Sequence, residues 1–277
     1  MRVVGGSNPL VPTIFFIVAL FLLTNDDGID AEGLKLLEKC LDGLGETVVV
    51  APDRERSAVS HSLTLRTALE LRQLRPNYFT LNGTPADCVI YALANVLTVQ
   101  PDLVISGINH GANLGDDIMY SGTVAAAREA SHRGIAAVAV SQAYDESPIR
   151  FEKGAKFVRT LVMTILERRS GSGLCLNVNI PVRRIRGVKI TRQGCSQRFP
   201  HFNSLDRGDE AATADPEIVE DRHKSKIPAD FQTIMEHYIS VTPLQRDQTD
   251  YAMVDSLLKD PPRLFRRFRL PGIGLIG

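Results

Sequence analysis

Three short segments of this sequence concentrate oxygen-bearing side chains beside glycine or proline: Asn25-Asp26-Asp27-Gly28, Pro52-Asp53-Arg54-Glu55-Arg56-Ser57 and Ser106-Gly107-Ile108-Asn109-His110-Gly111. Adjacent carboxylates such as Asp26 and Asp27 repel each other, which drives one pKa upward. A divalent cation removes that cost. Carboxylate, hydroxyl and amide oxygens suit Mg²⁺, Mn²⁺ or Ca²⁺ rather than zinc. Taken alone, Asp26-Asp27-Gly28 equally describes a turn before a helix capped at Asp30. The two further polar segments favour a site.

A second chemistry lies between Ser106 and Thr123. This stretch reads as a long polar loop with four glycines, Gly107, Gly111, Gly115 and Gly122. Glycine lets a backbone approach an anion closely. Ser121-Gly122-Thr123 opens a helical pattern, and a helix N-terminus is a phosphate site as readily as it is a plain N-cap. The GxGxxG and GxxxxGK[ST] fingerprints are absent, as are a GxSxG elbow, an HExxH pair and an EF-hand loop.

Positioning these segments falls to alternating strands and helices. Leu20–Leu23, Thr47–Val50, Leu103–Ile105, Ala136–Val140 and Leu174–Ile180 are short apolar runs bounded by turn residues, which predicts buried strands. Between them, Leu34, Leu37, Leu41 and Leu44 recur at helical spacing after Asp30. Thr84-Pro85-Ala86-Asp87 is a helix start, Thr123–Arg133 is Ala-rich, and Phe151–Arg168 is amphipathic. Asp53–Leu71 reads as a loop plus a hairpin. Such alternation predicts an α/β fold, a doubly wound, mostly parallel sheet between two helical layers. In that architecture ligands bind beyond the carboxyl ends of the strands, where all three polar segments fall. After Pro181 the pattern changes. Val188–Thr191 and Tyr238–Thr242 predict strands of a β-rich C-terminal extension, and the charged 206–226 segment reads as an exposed arm or loop.

Composition narrows the class. Hydrophobic residues at 44% and charged residues at 23% are ordinary globular values and exclude a disordered chain. Lys plus Arg and Asp plus Glu both number 32, so the whole-protein basic field of a nucleic-acid binder is absent. No Trp and 6% aromatics argue against stacking platforms. Cys40, Cys88, Cys175 and Cys195 form no CxxC pair and read as reduced thiols of a cytoplasmic protein. The apolar Val11–Leu23 run is shorter than the ~20 residues of a membrane span, so no membrane association is expected. Residues 1–18 read as an N-terminal extension, 19–260 as the main domain and 261–277 as a basic tail.

Together these strings resemble the SurE family: Leu22-Leu23-Thr24-Asn25-Asp26-Asp27-Gly28-Ile29, Val50 to Ser57, Gly83-Thr84-Pro85-Ala86-Asp87-Cys88-Val89, Ser106 to Gly111, and Tyr120-Ser121-Gly122-Thr123-Val124. The resemblance runs from about Leu20 to Leu244. It implies a Rossmann-like nucleotidase acting on nucleoside 5′- and 3′-monophosphates with one divalent cation, Mg²⁺ or Mn²⁺. It places the metal ligands at Asp26, Asp27, Ser57 and Asn109, with Asp26, Asp27 and Asn109 also catalytic. Asn25, Ser106, Gly107, His110, Ser121, Gly122 and Thr123 are then expected around the phosphate, with His110 a candidate acid for the leaving alcohol. The family's C-terminal arm implies a homodimer or homotetramer. Alternatives are a phosphatase for polyphosphate or other esters, and a weakly catalytic nucleotide-binding module.

Overall fold

The computed structural model describes residues 2–4, 16–145, 148–168, 173–182, 184–195 and 225–259. In chain order the elements are β1 (Arg2–Val4), β2 (Phe16–Thr24), α1 (Glu32–Cys40), β3 (Gly45–Pro52), β4 (Leu71–Arg75), β5 (Tyr78–Leu81), α2 (Pro85–Tyr91), β6 (Leu103–His110), α3 (Gly122–His132), β7 (Ala137–Gln142), α4 (Glu152–Arg168), β8 (Cys175–Ile180), β9 (Gly187–Ile190), α5 (Asp230–Met235), β10 (Tyr238–Pro243) and α6 (Tyr251–Lys259). The expected 206–226 arm lies outside the described residues apart from its last two positions, and the 261–277 tail lies wholly outside them. The chain divides into two units, one ending at Leu244 and one beginning at Gln245. The second unit's described helix, α6, exposes Tyr251, Met253, Val254, Leu257 and Leu258.

Successive side chains of a strand face opposite ways, so a strand apolar at every position must be covered twice. The core divides accordingly. Phe21 and Leu23 of β2, Val49 and Ala51 of β3, Leu103 and Ile105 of β6, and Val138 and Val140 of β7 pack with Leu34 and Leu37 of α1 and Val158 and Val162 of α4. The alternate residues, Leu20, Leu22, Val48, Val50, Val104, Ala137 and Ala139, pack with Cys88 and Val89 of α2 and Val124, Ala126, Ala127 and Ala130 of α3. The sheet order is β4-β5-β3-β2-β6-β7-β8-β10-β9. From β5 to β8 every pairing is parallel. β4 is antiparallel on β5 at one edge. Toward the other edge β10 is antiparallel to β8, and β9 is parallel to β10. The parallel core is thus a doubly wound, Rossmann-like sheet whose order reverses between β2 and β6.

Three local readings of the sequence need correction. β2 extends back to Phe16, and β1 pairs antiparallel with its first three residues, so strand structure reaches into the expected extension. Helix α1 starts at Glu32 with Ala31 as an N-cap lacking a side-chain bond. Asp30 does not cap it, because the Gly28 carbonyl accepts the Ala31 N–H and turns the chain first. Finally, the expected loop after Ile105 is strand as far as His110. A bulge between Ser106 and Asn109 lets Asn109 and His110 rejoin β7 opposite Ser141 and Gln142. The helix start at Thr84 is as the sequence reads. Asp87 N–H donates to the Thr84 hydroxyl at 3.1 Å, and Asp87 Oδ2 accepts the Thr84 N–H at 2.9 Å, a reciprocal capping box.

Candidate active site

β2 and β6 lie side by side, but the chain leaves them toward opposite faces. β2 leads to α1 in one helical layer and β6 leads to α3 in the other. The crevice between these departures holds the first and third polar segments. The second segment is sewn to the first by Arg56 N–H on the Asp26 carbonyl at 2.7 Å and Ile29 N–H on the Pro52 carbonyl at 2.9 Å. Gly28 sits at φ +96°, where a Cβ would stand 3.0 Å from the Arg54 carbonyl carbon. Only glycine serves this crossing of two loops.

The two aspartates face different partners. Asp26, 5% exposed, accepts the Thr123 N–H at 3.0 Å on Oδ2, and the Thr123 hydroxyl donates to Oδ1. Burial raises its pKa to about 6, with Thr123 lowering it in part and the Asp27 charge adding to the rise. Asp27 accepts the His110 N–H at 3.0 Å. Burial raises its pKa too; His110 opposes the shift and the Glu55 charge adds to it. Two carboxylates held short of solvation are a locus for positive charge.

Of the other expected ligands, Ser57 shares a cavity with Asp27, and Asn109 precedes His110, whose N–H bonds Asp27. Ser57 is exposed and its hydroxyl donates to Glu55 Oε1 at 2.6 Å. Asn109 Nδ2 donates to the Gly111 carbonyl at 2.8 Å, which leaves its Oδ1 as the end that could ligate a cation. Asn25 Nδ2 donates to the Gly28 carbonyl at 2.8 Å, yet its buried Oδ1 has no hydrogen-bond partner, and neither has buried Ser106 Oγ. Orphaned buried oxygens next to the aspartates fit a cation-centred polar cluster. Among the described residues no group of three or more His, Cys, Asp and Glu gathers. A hard cation here would therefore rely on two carboxylates completed by hydroxyl and amide oxygens, a donor set suited to Mg²⁺ or Mn²⁺.

Asp27, Ser57, Glu55 and His110 line a cavity of about 320 Å³ together with Gly33, Ile149 and Phe151. Asp26 stands behind this wall on the N-terminus of α3, and Asn109 precedes His110 in β6. Gly122 abuts Asp26, since a Cβ there would meet Asp26 Cβ at 2.9 Å. Ser121 caps α3 through the Val124 N–H at 3.1 Å. Gly107 lies against β7, where a Cβ would stand 2.3 Å from the Val140 carbonyl oxygen. Of the residues expected around a phosphate, His110 lines the cavity, Thr123 and Gly122 shape Asp26, and Ser121 and Gly107 serve helix and sheet. Sequence reasoning did not single out Glu55, although it lies in a quoted segment. It also missed Phe151 and Tyr144; the Tyr144 ring stands 4.7 Å from the His110 ring. Their only signal was their place near the carboxyl end of a strand.

Thr123 acts through Asp26 as a positioning residue. Thr123→Val is expected to keep the N–H bond, lose the hydroxyl bond and reduce turnover about 10- to 100-fold. Return of activity in Thr123→Ser, with both variants melting near wild type, checks that the hydroxyl is responsible.

The sequence model of the family described as Survival protein SurE matches residues 21–199. The chain is 42% identical over 247 residues to "5′-nucleotidase SurE" of Syntrophotalea carbinolica, covering 86% of this chain and 96% of that protein. It is 42% identical over 241 residues to "5′-nucleotidase SurE" of Legionella pneumophila, covering 85% and 94%. The crystal structure of the SurE protein from Aquifex aeolicus superposes with a TM-score of 0.71 at 39% identity, covering 87% of this chain and all of that one.

Proposed function

The chain belongs to the SurE family, and from that premise we infer that it is a 5′-nucleotidase whose reaction depends on one divalent cation held by Asp26, Asp27, Ser57 and Asn109. The observation that carries the metal assignment is the Asp26–Asp27 pair at the β2/β6 reversal, with both pKa values raised and unpartnered Asn25 and Ser106 oxygens beside it. When bound, Mg²⁺ or Mn²⁺ would polarise the phosphoryl group and acidify nearby water. The residues do the rest. Thr123 fixes Asp26, and the His110 N–H fixes Asp27. Asp27, at the cavity wall, is placed to take a proton from water. His110, exposed at the mouth, gives one to the departing alcohol.

The test is phosphate release from a panel of nucleoside 5′- and 3′-monophosphates by chelator-stripped protein. Release restored by Mg²⁺ or Mn²⁺, and reduced about 10²-fold or more in Asp27→Asn, is the expected outcome. Release that persists in chelator would overturn the metal assignment.

A homodimer or homotetramer is supported by apolar surface that calls for cover: exposed Val188 and Ile190 on edge strand β9, and separately the face of α6. Sedimentation at micromolar protein is expected to give two or four copies; a monomer would refute this. The four cysteines are free thiols, as a cytoplasmic chain would keep them; burial raises Cys40 to about 11 and Cys175 to about 12, which makes both poor nucleophiles. No helix among the described residues is long and apolar enough to cross a membrane.

A further inference from the structure

Beside the active-site cavity lies a larger one, of about 910 Å³, at the carboxyl ends of β7 and β8. Ile149 belongs to the walls of both. Tyr144 of the larger cavity contacts His110 of the smaller one, the rings 4.7 Å apart and tilted by 34°. A substrate whose phosphate lies at Asp27 and Ser57 therefore has this cavity next to it for its leaving group.

The larger cavity has two kinds of wall. One is apolar and aromatic: Tyr144, Ile149, Pro181 and Ile185. The other is basic: Arg150, Lys153, Lys156 and Arg184, against the acidic Asp145 and Glu152. All four cations are exposed, and none forms an ion pair with a carboxylate of the described residues. Lys153 and Lys156 are three apart on the first turns of α4, so they share one face. Arg150 stands just before them. The start of a helix carries partial positive charge, which disfavours cations there and favours an anion. Three cations at that place, without a carboxylate partner among the described residues and lining a concavity, form an anion subsite that a nucleoside 5′-monophosphate, with its only phosphate at the aspartates, would leave unused.

We propose that the larger cavity takes the nucleoside of the substrate and that Arg150, Lys153, Lys156 and Arg184 bind a second phosphate on it, which makes nucleoside 3′,5′-bisphosphates preferred substrates. The proposal rests on the nucleotidase reading and names its substrate class. An inorganic phosphate chain would use the cations but not the wall of Tyr144, Ile149, Pro181 and Ile185, which is why a nucleotide is favoured. In the reaction, water adds its oxygen to the 5′-phosphorus and the bond from phosphorus to the 5′-oxygen breaks. The 5′-oxygen receives a proton, and the nucleoside 3′-monophosphate and inorganic phosphate leave.

The experiment compares kcat/KM for adenosine 3′,5′-bisphosphate with that for adenosine 5′-monophosphate, using the full chain with Mg²⁺ or Mn²⁺. The expected ratio is ten or more in the wild type, falling toward one in the Lys153→Met/Lys156→Met double variant and in concentrated salt. Ile185→Ala is expected to lower kcat/KM for the bisphosphate at least fivefold relative to that for inorganic tripolyphosphate. A partly misfolded variant lowers both members of a ratio together, so the ratio itself reports the subsite. A wild-type ratio near one, or a ratio that the double variant retains, overturns the proposal. So does an Ile185→Ala effect shared equally by tripolyphosphate, which would make the cavity a polyphosphate groove. Hydrolysis of neither nucleotide would instead overturn the nucleotidase reading itself.

Discussion

Asp26→Asn is expected to lower phosphate release by about 10³-fold or more, while the chelator-treated protein stays as stable as the wild type at neutral pH or becomes more so. Asp26 is 5% exposed, and its pKa stands at about 6 in the folded chain against 3.8 for a free carboxyl group. Between these values the folded state keeps a proton that the unfolded state releases. Stability is therefore fully present below about pH 4, falls as pH rises to about 6, and stays low above that; the whole difference is about 3 kcal/mol. An amide of the same shape has no charge to desolvate. Its oxygen can accept the Thr123 N–H, and its Nδ2 can donate to the Thr123 hydroxyl, which then accepts instead of donating. Urea titrations in chelator at pH 4.5 and 7.5 check both parts: the wild type loses stability between them, and the variant loses less. Asp26→Ala should behave differently, since it strands the buried Thr123 N–H and hydroxyl at a cost of about 2 kcal/mol. An Asp26→Asn protein that is inactive and also markedly less stable in chelator would make Asp26 a structural residue. The side chain that the reaction most needs is thus one that the fold alone would be better without.

Gly107→Ala is expected to cost about 4 kcal/mol or more and to leave little folded protein. Gly107 sits at φ +135°, and its added Cβ would stand 2.3 Å from the Val140 carbonyl oxygen. Val140 belongs to β7, held between β6 and β8, so it cannot withdraw without breaking a central ladder. Gly107 also precedes Asn109 by two residues, so any relief that moves β6 moves a proposed metal ligand. Gly43→Ala separates the two contributions. Gly43 has φ +77° but nothing within 4 Å of its Cβ position, so only the backbone term remains, about 1 kcal/mol. Soluble yield and urea midpoints of the two variants provide the check. Equal losses would mean that the close approach of β6 to β7 is not what requires glycine.

Much of this was legible in the residues themselves. Unbroken apolar runs named the central strands, because a strand covered on both faces has no polar position. Thr84-Pro85-Ala86-Asp87 named a capping box, whose bonds span only three residues. Asp26-Asp27 marked a candidate site, because two adjacent carboxylates are costly in any fold. What the residues concealed was settled by contacts between distant parts of the chain. The glycines after Ser106 read as a loop, yet β7 accepts Asn109 and His110 as strand once a bulge absorbs the intervening residues. The inequality of the two aspartates was equally hidden. Thr123 reaches Asp26 across 97 positions and His110 reaches Asp27 across 83. Tyr144, Ile149 and Arg150 join the site only because β7 lies beside β6. Periodicity, capping and charge repulsion are local quantities and can be read along the chain. Burial, hydrogen-bond partners and the shape of a cavity depend on which segments the sheet order brings together, and that order appears only when the chain has folded.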